Sequence, residues 1–110
     1  MLAARLRRSA DIAKVRASGR SLRGAGFAVR ALPNDGADVR IAVTAPKMLG
    51  RAVVRNRMRR RVREAFRIAL RSAHIDHGMD IVVVARPEAA TTGFQALRDD
   101  AASALREAAR

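Results

Sequence analysis

The chain has 110 residues, 49% of them apolar, with three phenylalanines as its only aromatics, no cysteine and a net charge of +13. That suffices for one domain with a modest aliphatic core, and it excludes disulfides and thiolate metal sites, which fits a reducing compartment. No apolar run approaches the roughly 18 residues of a membrane span, and the opening lacks the apolar segment of a secretory signal.

Residues 1–8 form a short basic arm carrying Arg5, Arg7 and Arg8. An arginine-, alanine- and serine-rich start is also what a transit peptide presents, which is the weaker reading. Ser9 has an N-cap side chain and Asp11 suits a first turn, so a short helix is expected there. Ile12 and Val15 give it an apolar edge, and "SG" at 18–19 stops it. "FAVRAL" at 27–32 reads as a strand, and "PNDG" at 33–36 as a turn. "VRIAVTA" at 39–45 alternates Val39, Ile41 and Val43 against Arg40, Ala42 and Thr44. Two strands across so short a turn predict a hairpin.

Pro46 closes the second strand, and Gly50 precedes a helix of about 51–72. "HIDHGMD" at 74–80 is a polar connector, and "IVVVARP" at 81–87 is β-branched and apolar on both faces, as a central buried strand is. Thr92 with Gln95 three residues on suggests a capping box. Phe94, Leu97, Ala101, Leu105 and Ala108 then recur at helical spacing. The order is helix, strands, helix, strand, helix: a single-domain α+β layer fold.

The charge is polarised along the chain. Residues 1–71 hold 19 Lys and Arg against 4 acids, whereas residues 72–110 hold 4 against 6. The densest stretch is "RAVVRNRMRRRVREAFR" at 51–67. At about 100° per residue, Val54, Met58, Val62, Ala65 and Ala69 share one face, with Phe66 and Ile68 on its flanks. Opposite them fall Asn56, Arg60, Arg63, Arg67 and Arg71, while Arg55 and Arg59 border one edge of the apolar stripe and Arg57 and Arg61 the other. Only Glu64 is placed to pair with these arginines, through Arg60 or Arg67. Arginines three and four apart repel one another, and a polyphosphate partner removes that repulsion while releasing counterions. Asn56 adds a donor and an acceptor for bases or 2′-hydroxyls. A basic amphipathic helix can also lie on acidic lipid, but this one lacks the Trp and Leu anchors of such helices. No helix-turn-helix spacing or zinc-finger ligand set favours DNA.

The smaller features carry less. His74 and His77, with Asp76 and Asp80, have metal-ligand side chains, yet the "HG" step favours a solvated loop. No Ser/His/Asp set, carboxylate pair or glycine-rich phosphate loop is visible, so protein-borne RNA cleavage lacks a general base.

The stretch "VVRNRMRRRVREAFR", preceded by "KMLG" and a Val/Arg strand, resembles the signature of the bacterial ribonuclease P protein component. That small basic subunit assists a catalytic RNA in removing 5′ leaders from precursor tRNA. The resemblance extends through "RLRRSADIAKV", "SGRS", "FAVRAL" and "DIVVVARP". It implies an α/β sandwich in which the arginine helix is a left-handed crossover between parallel strands. It implies that Arg51, Arg55, Asn56, Arg57, Arg59, Arg60 and Arg63 face the ribonuclease P RNA, a set that Arg67, Lys47 and the arm residues Arg5, Arg7 and Arg8 extend. A cleft at Ile12, Arg16, Ser21, Ala28 and Arg30 would guide the leader. The family tends to place aromatics in that cleft, whereas this chain has Ile12, Arg16 and Arg30, whose guanidinium planes can stack on bases. Lys47 followed by Met48, after Pro46, also departs from the usual basic pair.

The expected role is cytoplasmic. The chain would be a cofactor of a ribozyme that binds its RNA and precursor tRNA, with Mg²⁺ held mainly by RNA and no membrane or DNA partner. A structural ribosome-associated RNA-binding protein and a protein-only nuclease are the alternatives.

Overall fold

The computed structural model describes residues 4–110, so the first three positions of the expected arm lie outside the described residues. The elements are β1 (Ala4–Arg5), α1 (Ser9–Ser18), β2 (Arg20–Gly24), β3 (Phe27–Pro33), β4 (Val39–Thr44), α2 (Ala52–Ser72), β5 (Met79–Ala85) and α3 (Phe94–Ala108). Short 3₁₀ turns at Lys47–Leu49 and Pro87–Ala90 introduce α2 and α3. The strands form one mixed sheet in the order β1-β4-β5-β3-β2. β1, β4 and β5 run parallel; β3 is antiparallel to β5 and to β2.

The period-two alternation of the strands divides the core into two layers. Phe27, Val29, Val39, Ile41, Val43, Ile81 and Val83 face α2 and α3 in the main cluster. Ala42 and Val82 face the other way, with Leu6 and Val15, beneath α1. Helices therefore cover both faces of β5, which is why that strand is apolar throughout. The Phe27 and Phe66 rings meet edge to face at 4.9 Å and 68°, tying β3 to α2. Such a pair adds about 0.5–1.5 kcal/mol beyond the area it buries.

The expected hairpin between 27–32 and 39–45 does not form. β5 lies between the two strands, and Met79 is the register partner of both Pro33 and Val39. Asn34–Asp38 thus bridges two strand spacings, roughly 9–10 Å, which five residues reach easily. Asn34 Nδ2 donates to Asp80 Oδ1 at 2.8 Å and to the Asp38 carbonyl at 3.2 Å, while its own Oδ1 accepts from Gly36 N at 2.8 Å. Gly78 lies against this turn, where a Cβ would stand 2.0 Å from Asn34 Oδ1. The hairpin that does form joins β2 to β3 across Ala25-Gly26, with Gly24 opposite Phe27. The polar connector is also shorter than expected: Gly78, Met79 and Asp80 are buried.

Two expected caps are absent. The residue preceding α1 is Arg8, without a side-chain cap, so Ser9 is already helical. Gly93 precedes α3, and the Thr92 hydroxyl instead donates to the Glu88 carbonyl at 2.6 Å.

Candidate nucleic-acid interface

α2 is one unbroken helix of 21 residues joining β4 to its parallel neighbour β5. Its buried side chains are Met58, Val62, Ala65, Phe66, Ala69 and Leu70. Val54 was expected among them but is 42% exposed, because the core contacts of the helix begin one turn later, at Met58.

Beyond its first turn, the outward surface of α2 is mostly guanidinium. Arg51, Asn56, Arg57 and Arg60 are exposed, and Arg55, Arg59, Arg63 and Arg67 are partly buried. Arg59 Nη1 donates to Asn56 Oδ1 at 2.6 Å. Glu64 pairs with Arg67, whose Nε donates to Oε2 at 2.9 Å and whose Nη2 donates to Oε1. Those hydrogen bonds hold the Glu64 carboxyl below its usual value and raise Arg67. Arg63 is pushed down instead, first by burial and then by the nearby charges of Arg5 and Arg59. Among the described residues, Arg51, Arg55, Arg57, Arg59, Arg60 and Arg63 form no ion pair. The buried Nε of Arg55 has no hydrogen-bond partner. These arginines form a dense cationic surface with little carboxylate compensation, the electrostatic footprint common to polyanion-binding domains.

Arg61 is turned inward. Its Nε donates to the Ala89 carbonyl at 3.2 Å and its Nη2 to the Thr92 carbonyl, clamping α2 to the approach of α3. Helical spacing put it beside the apolar stripe but carried no sign of these two acceptors.

Arg5 continues the cationic surface. It lines a small hollow of about 130 Å³ with Ala4, Ile41, Arg63 and Arg67 at the β1 edge. Arg7 and Arg8 are exposed in the segment that carries the chain from β1 to α1. Lys47 is exposed in the 3₁₀ turn before α2.

The expected cleft lies on the opposite face of the sheet. Arg16 of α1, Ser21 of β2, Ala28 and Arg30 of β3, and Val82 and Val84 of β5 line a groove of about 390 Å³. Arg23 lines it too; the sequence reading missed it because the polar β2 was not recognised as a strand. Ile12 does not line the groove. It packs against the cluster of Leu6, Val15, Ala42 and Val82. The structure therefore gathers the α2 arginines on one face of the sheet and Arg16, Ser21, Ala28 and Arg30 on the other, with Arg5 at the β1 edge beside Arg63 and Arg67.

A larger hollow, about 440 Å³, is rimmed by Asp11, Asp35, Asp38 and Asp80 together with Lys14 and Arg40. Its carboxylates disfavour a phosphate ligand. His77 Nδ1 lies 3.1 Å from Asp76 Oδ1, and the hydrogen bond holds that carboxyl below its usual value. Among the described residues no three His, Cys, Asp or Glu are grouped to hold a metal ion, and no helix is long and apolar enough to cross a membrane.

Fold and surface together define a small basic α+β domain whose longest helix packs on one side and presents arginines on the other. The family model for ribonuclease P matches residues 2–109. The chain is 40% identical over 105 residues to the ribonuclease P protein component of Gluconacetobacter diazotrophicus, covering 94% of this chain and 90% of that protein. It is 36% identical over 107 residues to that of Paramagnetospirillum magneticum, covering 93% and 80%. The ribonuclease P protein from Thermotoga maritima superposes with a TM-score of 0.79 at 29% identity, covering 94% of this chain and 96% of that one. The Staphylococcus aureus protein gives 0.77 at 29% identity, covering 96% and 95%. The chain belongs to the ribonuclease P protein component family.

Proposed function

We propose that this chain, a protein subunit of the endoribonuclease that matures tRNA, binds the ribonuclease P RNA through the outer face of α2 and the β1 edge. The groove on the other face of the sheet holds the 5′ leader of precursor tRNA. The observation that carries the reading is the set of α2 arginines without carboxylate partners, on a helix whose inner face from Met58 onward is used by the core. Arg51, Arg55, Arg57, Arg59, Arg60 and Arg63, extended by Arg67, Lys47, Arg5, Arg7 and Arg8, neutralise phosphates, and Asn56 meets a base edge or a 2′-hydroxyl. In the groove, Arg16, Arg23 and Arg30 grip the leader backbone and stack on its bases, in place of aromatics.

The protein supplies no general acid or base in this reading. The RNA performs cleavage and holds the Mg²⁺, while the protein screens phosphate repulsion between ribozyme and substrate. The reaction takes place in the cytoplasm.

The test mixes precursor tRNA in low Mg²⁺ with the chain alone, with its RNA subunit alone and with both. Cleavage only with both supports the proposal. Cleavage by the chain alone would make it a nuclease, and no stimulation of the RNA would leave it a structural RNA-binding protein.

A further inference from the structure

At the start of α2 the surface changes character. Met48 is 87% exposed, Val53 73% and Val54 42%, the large hydrophobics most exposed among the described residues. Val53 and Val54 are successive residues in the first turn of α2. The 3₁₀ turn at Lys47–Leu49, which carries Met48, packs on α2, and Gly50, at φ 128°, links the two. Lys47 precedes Met48 in the chain, Arg51 precedes α2, and Arg57 stands one helical turn from Val53 and Val54. All three are exposed and in no ion pair among the described residues. The first turn of α2 has no side-chain cap and no acidic residue.

An apolar patch with cations beside it and no acidic residue in its helical turn discriminates among partners. A second copy would bring two like-charged rims together on chains of +13 each. A paired RNA helix would offer phosphates to the rim and leave the apolar centre facing water. An unpaired nucleotide satisfies both parts, with its phosphates on the cations and its base face on the aliphatic centre. Methionine and other apolar side chains serve as such platforms and wedges elsewhere.

We propose that Met48, Val53 and Val54 form a platform for an unstacked base of single-stranded RNA, with Lys47, Arg51 and Arg57 holding the flanking phosphates. The inference rests on the RNA-binding reading of α2 and adds that this end of the helix selects unpaired RNA. Aliphatic side chains contribute contact without charge, so the platform adds affinity without adding to the salt dependence.

The experiment uses the full chain, a single-stranded oligoribonucleotide and a fully paired RNA of equal length, titrated over a range of salt. Met48→Ser with Val53→Ser leaves the fold intact by circular dichroism, because both side chains are in solvent. The double variant should bind the single strand about tenfold more weakly, the size of one lost base contact. Its salt slope and its affinity for the duplex should match the parent. A second variant reads the contact directly: the chain has no tryptophan, so Met48→Trp introduces one emitter, which the single strand should quench more than the duplex does. Equal single-strand affinity in parent and double variant, or quenching equal for both RNAs, overturns the platform. So does sedimentation that shows the parent dimeric and the double variant monomeric. These results leave the arginine reading standing. Only a parent chain that binds neither RNA removes that reading as well.

Discussion

Asp80 shows how one buried carboxylate organises a segment that looks like loop. It is 6% exposed and accepts Arg40 Nε at 2.7 Å, Arg40 Nη2 at 2.6 Å and Asn34 Nδ2 at 2.8 Å. The same hydrogen bonds raise the Arg40 guanidinium pKa, and Asp11 stands 3.6 Å from Arg40 Nη1. Removing the carboxylate strands donors on two strands and a turn. Asp80→Ala should cost about 2–3 kcal/mol in urea denaturation, below the full penalty for a broken buried pair because Arg40 is partly solvated. Sequence reading assigned Asp80 to a polar connector, since its partners are 40 and 46 residues away. Arg61 is the complementary case, an arginine that sequence cannot distinguish from its neighbours and that two backbone carbonyls claim. Arg61→Ala should lower stability by about 1–2 kcal/mol, seen as an earlier urea midpoint.

α2 was the most legible element because its two periodicities agree. Apolar residues recur at helical spacing, and arginines occupy much of what is left. The extent of the helix and the central part of its inner face, Met58, Val62, Ala65 and Ala69, therefore follow from pattern. The exposure of Val54 and the burial of Leu70 do not. Val62 is fully buried at its centre, and Val62→Asp should abolish the cooperative thermal transition by burying an unpaired charge. The Glu64–Arg67 pair predicts a pH dependence. The folded-state pKa of Glu64 is depressed, so its stabilisation is complete above the unfolded carboxylate value of about 4.3 and is lost as pH falls through the folded value. Glu64→Gln should therefore be less stable than the parent at neutral pH and low salt. In urea titrations the gap should close in acid. The strands were less legible. β5 was recognised as central from its two apolar faces, yet the same fact implies two neighbours, and the turn chemistry at 33–36 favoured a hairpin that β5 in fact splits. β2 escaped notice because Leu22 is the only large apolar residue in an edge strand that otherwise reads Arg-Ser-Arg-Gly. Its arginines suit an unpaired edge but erase the alternation that marks a strand. The groove set was consequently only partly legible. Polar β2 hides Arg23, and Ile12, expected in the groove, packs from α1 against Leu6, Val15, Ala42 and Val82.

At the scale of the whole molecule, charge and core are separated. The acid-bearing segment 72–110 supplies β5 and α3, while the basic segment supplies α2, the β1 edge and the arginines of the groove. α3 is fastened through Arg20, whose Nη1 donates to the Glu107 carbonyl at 2.7 Å, and through Asp100, which accepts from Ala25 N at 2.7 Å. The sheet thus carries arginines on either side, those of α2 on one and Arg16, Arg23 and Arg30 on the other. The central claim is that the outward arginines of α2 contact RNA phosphates while Arg61 does not. The direct measurement is the affinity for the ribonuclease P RNA over a range of salt, for the parent, Arg57→Ala, Arg60→Ala and Arg61→Ala. Arg57→Ala and Arg60→Ala should each weaken binding and reduce the logarithmic salt slope by about 1, and folded Arg61→Ala should keep the parental slope. Unchanged affinity and slope in the first two variants, or an equal drop in slope for all three, would contradict the account.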